Sequence, residues 1–213
     1  NGGAVNAASS DNAIGVRGKA NVVVNINGGK ITTGSNNRLA MYISGDKDDS
    51  IQVNITSGEI TSNGQTIQAY SGAEINVSGD AVISSATGTA ISTQSGYGVV
   101  ELNVTGGTIK TEGARAYAVY ARESSDVNIS GGAVSGGYGL RASDSADVAV
   151  SGGTVEGSIS AISVSDSANV TVTGGAFNKD VSDYIDSSAA VAEFSAEGKK
   201  TYVVGDTIAE KAA

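Results

Sequence analysis

Val127-Asn128-Ile129-Ser130-Gly131-Gly132-Ala133-Val134-Ser135 is the stretch whose reading decides the fold. An apolar–polar–apolar triplet runs into a Gly-Gly turn, and a second short alternating stretch follows. Alternation over a few residues is strand periodicity. The triplet recurs as Val24-Asn25-Ile26, Val53-Asn54-Ile55, Ile75-Asn76-Val77, Leu102-Asn103-Val104, Val148-Ala149-Val150 and Val170-Thr171-Val172. With the second apolar residue as anchor the copies fall at 26, 55, 77, 104, 129, 150 and 172, spaced by 29, 22, 27, 25, 21 and 22 residues. Gly2-Gly3 fits an eighth copy that lacks its first half. Self-similarity at roughly 20–30 residues marks a solenoid, whose units bury their apolar faces against one another.

Two further strand patterns share each period. The second strand follows the turn: Lys30-Ile31-Thr32, Glu59-Ile60-Thr61, Thr108-Ile109-Lys110, Ala133-Val134-Ser135, Thr154-Val155-Glu156 and Ala176-Phe177-Asn178. The third begins at Ala13-Ile14, Ala40-Met41, Thr66-Ile67, Ala90-Ile91, Ala118-Val119, Gly139-Leu140 and Ala161-Ile162. Equivalent strands recur one whole unit apart, so they stack in parallel, about 4.8 Å from one another. The expected fold is all-β: a right-handed parallel β-helix of three short strands per rung and about eight rungs, the hand following the crossover preference. The extra length of the longest units falls in two polar or Gly-rich loops, Gly45-Asp46-Lys47-Asp48-Asp49-Ser50 and Ser95-Gly96-Tyr97-Gly98.

Composition agrees. The 213 residues include 30 Gly and no Pro, Cys, His or Trp. Proline removes a ladder donor and is expelled from central strands, so its absence suits a chain paired along most of its length. A hydrophobic content of 39% is too high for a disordered tail. Many inward positions are Val or Ile, each worth roughly 1.5–3 kcal/mol when fully buried, so a sizeable core is available as a column.

The charge balance is 13 basic against 22 acidic residues, and 13 − 22 = −9. Nucleic acid is disfavoured, because phosphate binding needs clustered Lys and Arg. No apolar run approaches the roughly 20 residues of a membrane span. The chain opens inside a repeat, so its start says little about export.

After Phe177 the rhythm stops. Asn178-Lys179-Asp180-Val181-Ser182-Asp183-Tyr184-Ile185 carries a polar cap and the apolar spacing of a short helix. Ala190–Ser195 and Lys200–Val204 then flank Ala196-Glu197-Gly198-Lys199, a hairpin signature. An open solenoid end exposes unpaired strand edges and core, so a terminal cap is expected. The division is repeats over 1–175 and a small α+β cap with tail over 176–213.

The three-strand rung resembles the right-handed parallel β-helix family, whose members include pectate lyases and many bacterial surface adhesins. The segment GGAFNKDVSDYI, residues 174–185, is similar to one that closes β-helix repeats in large secreted proteins of gut Gram-positive bacteria. Those resemblances imply an extracellular protein, secreted or attached to the cell wall, of which this chain is a monomeric segment. The rung motif specifies fold far more than function.

Catalytic chemistry has little to stand on. Without His or Cys, the usual nucleophile triads and zinc sites cannot be built from this chain. β-Helix enzymes use carboxylate clusters, often with calcium, and a basic residue. The outward second-strand positions here are Thr32, Thr61, Lys110, Ser135, Glu156 and Asn178, which form no such cluster. Calcium is the one cofactor left open: Asp46, Asp48 and Asp49 share a loop, and calcium prefers oxygen ligands. Their spacing is not that of an EF-hand, and a solvated acidic loop is the simpler reading.

The Asn column at 25, 54, 76, 103 and 128 is read as a side-chain ladder that holds register, as in cross-β stacks; a glycan- or ice-binding amide face is the alternative. A regular Thr array, which ice binding would want, breaks at Lys110.

The third strand carries the best functional signal. Its first outward slot reads Gly15, Tyr42, Gln68, Ser92, Tyr120, Arg141, Ser163, and its second Arg17, Ser44, Tyr70, Gln94, Arg122, Ser143, Ser165. Tyr97, Tyr117 and Tyr138 lie beside it, so six of the eight Tyr belong to one face. Tyr and Arg are enriched in interfaces, although aromatics on a sheet also pair across rungs. The candidate binding residues are Tyr42, Gln68, Tyr70, Tyr97, Tyr117, Tyr120, Arg122, Tyr138 and Arg141. The expected function is non-catalytic adhesion to a host glycan or glycoprotein, an immunoglobulin being one form of the latter. A carbohydrate-active lyase or hydrolase is the alternative from another class, and a pure spacer is a third.

Overall fold

The structure, a computed structural model, describes residues 3–7, 12–18, 21–34, 36, 38–45, 50–96 and 98–206. Strand accounts for 65% of the residues and helix for 2%, which makes the chain all-β, and the strands form a parallel solenoid. The register is the one that the triplets predict. Leu102, Asn103 and Val104 lie between Ile75, Asn76 and Val77 on one side and Val127, Asn128 and Ile129 on the other. In the second strand Ile109 sits between Ile83 and Val134, and in the third Val119 sits between Ile91 and Leu140. Three inward rows of Ile, Val, Leu and Ala therefore meet in a single buried column.

The column makes about six turns rather than eight. The sequence count is higher because it includes partial units at both ends. The first unit contributes only Ala4–Ala7 and Ile14–Arg17 in the second and third positions; the last contributes Asn169–Phe177 before the chain turns back. Two second strands also escape the sequence pattern, Ala4–Ala7 and Val82–Ser85. In the latter unit Gly79-Asp80 replaces the Gly-Gly pair, which obscures where the strand restarts.

The corner between second and third strands is polar inside, and its groups are satisfied. Ser62 Oγ donates to the Gly64 carbonyl at 2.8 Å, and Thr66 Oγ1 to the Ser84 carbonyl at 2.8 Å. Thr111 Oγ1 donates to the Gly88 carbonyl at 2.6 Å, and Ser85 Oγ accepts from the Gly88 N–H at 2.8 Å. Buried hydroxyls that find such partners avoid the desolvation penalty of an unpaired polar group.

Outside the first strand the Asn column forms the expected ladder. Asn54 donates through Nδ2 to Asn25 Oδ1 at 2.9 Å, Asn76 to Asn54 at 3.0 Å, Asn103 to Asn76 at 3.1 Å and Asn128 to Asn103 at 3.1 Å. It stops at Ala149, which has no amide to continue it.

The C-terminal end is closed by a hairpin. Ala189–Ala196 and Lys199–Asp206 pair antiparallel across Glu197-Gly198, both at positive φ, as a tight right-twisted hairpin turn requires. Lys199–Asp206 also pairs antiparallel with Gly175–Phe177 and so covers the edge of the last rung. Val181 and Val204 are buried at the end of the core beside Phe177. The short helix expected over 178–185 is a single 3-10 turn, Ser182–Tyr184. Its polar starters are engaged elsewhere. Asn178 bonds the Gly157 N–H and carbonyl at 2.9 and 3.1 Å, while Asp180 Oδ1 accepts from the Ser182 N–H at 2.9 Å in a local turn that competes with a helix.

That connection has a pH dependence. The Ser182 hydroxyl, then its N–H, hold the Asp180 carboxyl below its usual range, and the Ser188 hydroxyl and N–H do the same for Asp186. A carboxyl whose folded pKa is depressed stabilises the fold above its unfolded value and loses that contribution as pH falls through the folded one. Acidification below 3.8, the unshifted aspartate value, is therefore expected to lower amide protection at Ser182 and Ser188 while Val127–Ile129 keep theirs. Asp180→Asn and Asp186→Asn should abolish the acid response. Protection at Ser182 and Ser188 that is indifferent to pH would contradict this account.

Candidate binding face on the third strand

Each third strand points alternate side chains into the column and out to solvent, so its outward slots stack into a face. Two clusters form on it. Towards the C-terminal end the Tyr117 ring lies 4.8 Å from Tyr120 and 5.2 Å from Tyr138, centre to centre, with interplanar angles of 47° and 42°. The Arg122 guanidinium sits 5.2 Å from the Tyr120 ring centre, within cation–π range. Arg141 donates to Ser163 Oγ at 2.7 Å and to Ser165 Oγ at 2.8 Å. The Tyr120 hydroxyl lies 3.3 Å from Ser143 Oγ, which also meets Asp144 Oδ2 at 2.9 Å. All five side chains are half-buried: their bodies pack across rungs and their edges reach solvent.

The turns after these strands are braced by carboxylates. Glu123, Asp144 and Asp166 sit at positive φ, near 60°. Asp144 Oδ2 accepts from the Glu123 N–H at 3.3 Å, and Asp166 Oδ2 from the Asp144 N–H at 3.4 Å. The Ser165 hydroxyl and then the Asp144 N–H hold the Asp166 carboxyl below the usual range, and the Arg141 charge adds to the effect.

The second cluster lies at the N-terminal end. Tyr42 and Gln68 line a cavity of about 340 Å³ together with Asn12, Arg17, Arg38 and Gln65. The Arg17 guanidinium stands 5.2 Å from the Tyr42 ring centre. Between the clusters runs an amide chain, Gln68 donating to Gln94 Oε1 at 3.3 Å and Gln94 to Glu123 Oε1 at 3.1 Å. Tyr70 packs beneath Gly96, where any Cβ would strike the ring at 2.5 Å.

Of the nine candidate residues, Tyr117, Tyr120, Arg122, Tyr138 and Arg141 come together in one cluster, and Tyr42 and Gln68 in the other, with Tyr70 between. Tyr97 lies outside the described residues, as do Asp46, Asp48 and Asp49 of the candidate calcium loop. Among the described residues no group of three or more acidic side chains is placed to hold a metal ion.

Reading strand slots one at a time hides two features. All five arginines of the chain lie on or beside a third strand. Arg17 and Arg141 are within one, Arg38 and Arg115 in the loop leading into one, and Arg122 directly after one, whereas no lysine among the described residues is so placed. Arg38 and Arg115 sit in loops, outside any slot count, but listing residues by type would have found them. On the first strand, Glu74, Glu101, Asp126 and Asp147 stack in register beside the Asn ladder. They fall three residues before each anchor, a position the triplet does not include. Stacked like charges repel, and at Glu74 the Gln52 and Asn76 amides offset this at 3.0 and 2.8 Å. The solenoid thus has an acidic face and, separately, a face of arginine and tyrosine.

No family model matches the chain, nor does any curated protein or solved structure.

Proposed function

We propose that this solenoid is a non-catalytic, extracellular segment of a larger bacterial surface protein, and that it adheres to a host glycan or glycoprotein through the third-strand face. The observation that carries the reading is that all five arginines lie on third strands or directly beside them, and that third strands also carry the Tyr117, Tyr120 and Tyr138 rings. Half-buried tyrosines present large contact area at small entropic cost, and Arg adds a planar set of donors. Packing alone would not sort Arg from Lys in this way, because both cover apolar surface with their stems. Immunoglobulins are one class of glycoprotein within this reading.

The test is capture from an array of host glycans and serum glycoproteins, immunoglobulin included, followed by titration of the best binder. Arg122→Ala and Tyr138→Ala should each weaken binding by about 1–2 kcal/mol, roughly 5–30-fold in Kd. Ser135→Ala, on the second strand, should leave it unchanged. A ligand that ignores the Tyr and Arg changes but is lost on Asn76→Ala or Asn103→Ala would move the site to the Asn ladder and overturn the proposal.

A further inference from the structure

We infer that the cavity bounded by Arg17, Arg38 and Tyr42 takes the carboxylate of an acidic sugar. The inference rests on the third-strand face being a saccharide-binding surface and names the ligand chemistry of one end of it. Four observations lead there.

First, among the described residues the cavity lining contains two arginines and no carboxylate, in a chain whose acidic residues outnumber its basic ones by 22 to 13. Among the described residues Lys30, Lys110 and Lys200 each meet a glutamate, at 2.8, 3.3 and 2.7 Å, whereas Arg17 and Arg38 meet none. Second, Arg17 is oriented without being consumed. The Tyr42 ring holds the guanidinium by its charge, and such a contact leaves the N–H edges free for the two-point pairing that a carboxylate accepts.

Third, the remaining polar side chains of the lining among the described residues, apart from Tyr42, are amides: Asn12, Asn36, Gln65 and Gln68. Asn12 Oδ1 is fixed by the Leu39 N–H at 2.9 Å, which steadies its NH₂. Side-chain amides both donate and accept, the pattern that vicinal hydroxyls need, and Tyr42 offers a ring for a sugar to lie against. Fourth, a volume of about 340 Å³ stands at the small end of ligand pockets, a size for one or two sugar residues rather than a folded partner. The carboxylate row of Glu74, Glu101, Asp126 and Asp147 lies on the first strand, and Glu123, Asp144 and Asp166 follow third strands of later units; none of them is among the residues that line this cavity.

The experiment titrates the intact chain with 3′-sialyllactose, methyl β-glucuronide, lactose and methyl β-glucoside, and with an Asp/Glu-rich peptide. Both carboxylated sugars should bind at least tenfold more tightly than their neutral counterparts, and raised salt should shrink the gap; the tighter of the two shows whether a nonulosonate or a uronate is the better source of the carboxylate. Arg38→Gln, at an exposed position, should erase the preference without moving Tm, and Arg17→Gln should do the same. If lactose binds as well as sialyllactose and its binding falls with Arg122→Ala but not with Arg38→Gln, the acidic-sugar inference is overturned and the face reading stands. Capture of the acidic peptide alone, with the same Arg38 dependence, overturns the assignment to a sugar. If no saccharide binds here and none is captured from the glycan array, both readings fall.

Discussion

Val104→Asp is expected to destabilise the solenoid by roughly 3–5 kcal/mol, the scale of an uncompensated buried charge. Val104 has no exposed surface and lies between Val77 and Ile129 in the inner row of the first strand. An aspartate there has apolar neighbours above and below and no cation to meet. Because each rung contacts mainly its neighbours, the loss should spread along the column and lower the urea midpoint of the whole chain. Thr105→Asp, one residue on and exposed, should change stability by only about 0.5 kcal/mol. Equal midpoints for the two variants would show that the first-strand register is wrong.

Gly132→Val should be nearly as damaging for a different reason. Gly132 has φ of 77°, and a Cβ built on it would stand 2.7 Å from the Gly106 carbonyl oxygen and 2.8 Å from that of Gly107. The left-handed backbone alone costs an L-residue about 1–2 kcal/mol. The clash adds to this, because the atoms it meets belong to the backbone of the adjacent turn, which cannot move without opening the ladder. Gly15 is the contrast: it occupies an outward slot of a third strand at ordinary φ, with nothing within 4 Å of an added Cβ. Gly15→Ala should be neutral or stabilise slightly, since glycine weakens a strand interior. Thermal unfolding of the pair reads the difference, and matching Tm values would remove the stacking argument for the glycine column.

These two sites also show why so much of the column was legible. Strand alternation and the glycine turn are local, and inward apolar residues with an outward Asn leave one register in which every row matches. A slip of one residue would place Val104 in solvent and Asn103 in the core. The Asn ladder follows from that same register, as its bonds from Asn54 to Asn128 show.

Other features depend on neighbours that are distant in the chain. The restart of the second strand at Val82–Ser85 follows a Gly-Asp turn, and it is recognisable once the strand is paired with Glu59–Ser62 and Thr108–Thr111. The cap helix shrank to a single 3-10 turn because Asn178 found partners at Gly157, 21 residues back. On the candidate face, the sequence grouped the tyrosines by slot but could not separate them into two clusters. Nor could it place Arg38 and Asn36, which come from a loop, against Arg17 from the preceding unit.

By itself, then, the sequence determined a stacked, parallel, three-strand solenoid with an Asn ladder and a C-terminal hairpin, because period, turn chemistry and row matching all act over a few residues or one repeat. The tertiary structure alone decided how many turns close completely, how the arginines and tyrosines divide along the face, and where a cavity opens. Those outcomes depend on loops of unequal length that lay side chains from different turns against one another, and no local pattern encodes that convergence.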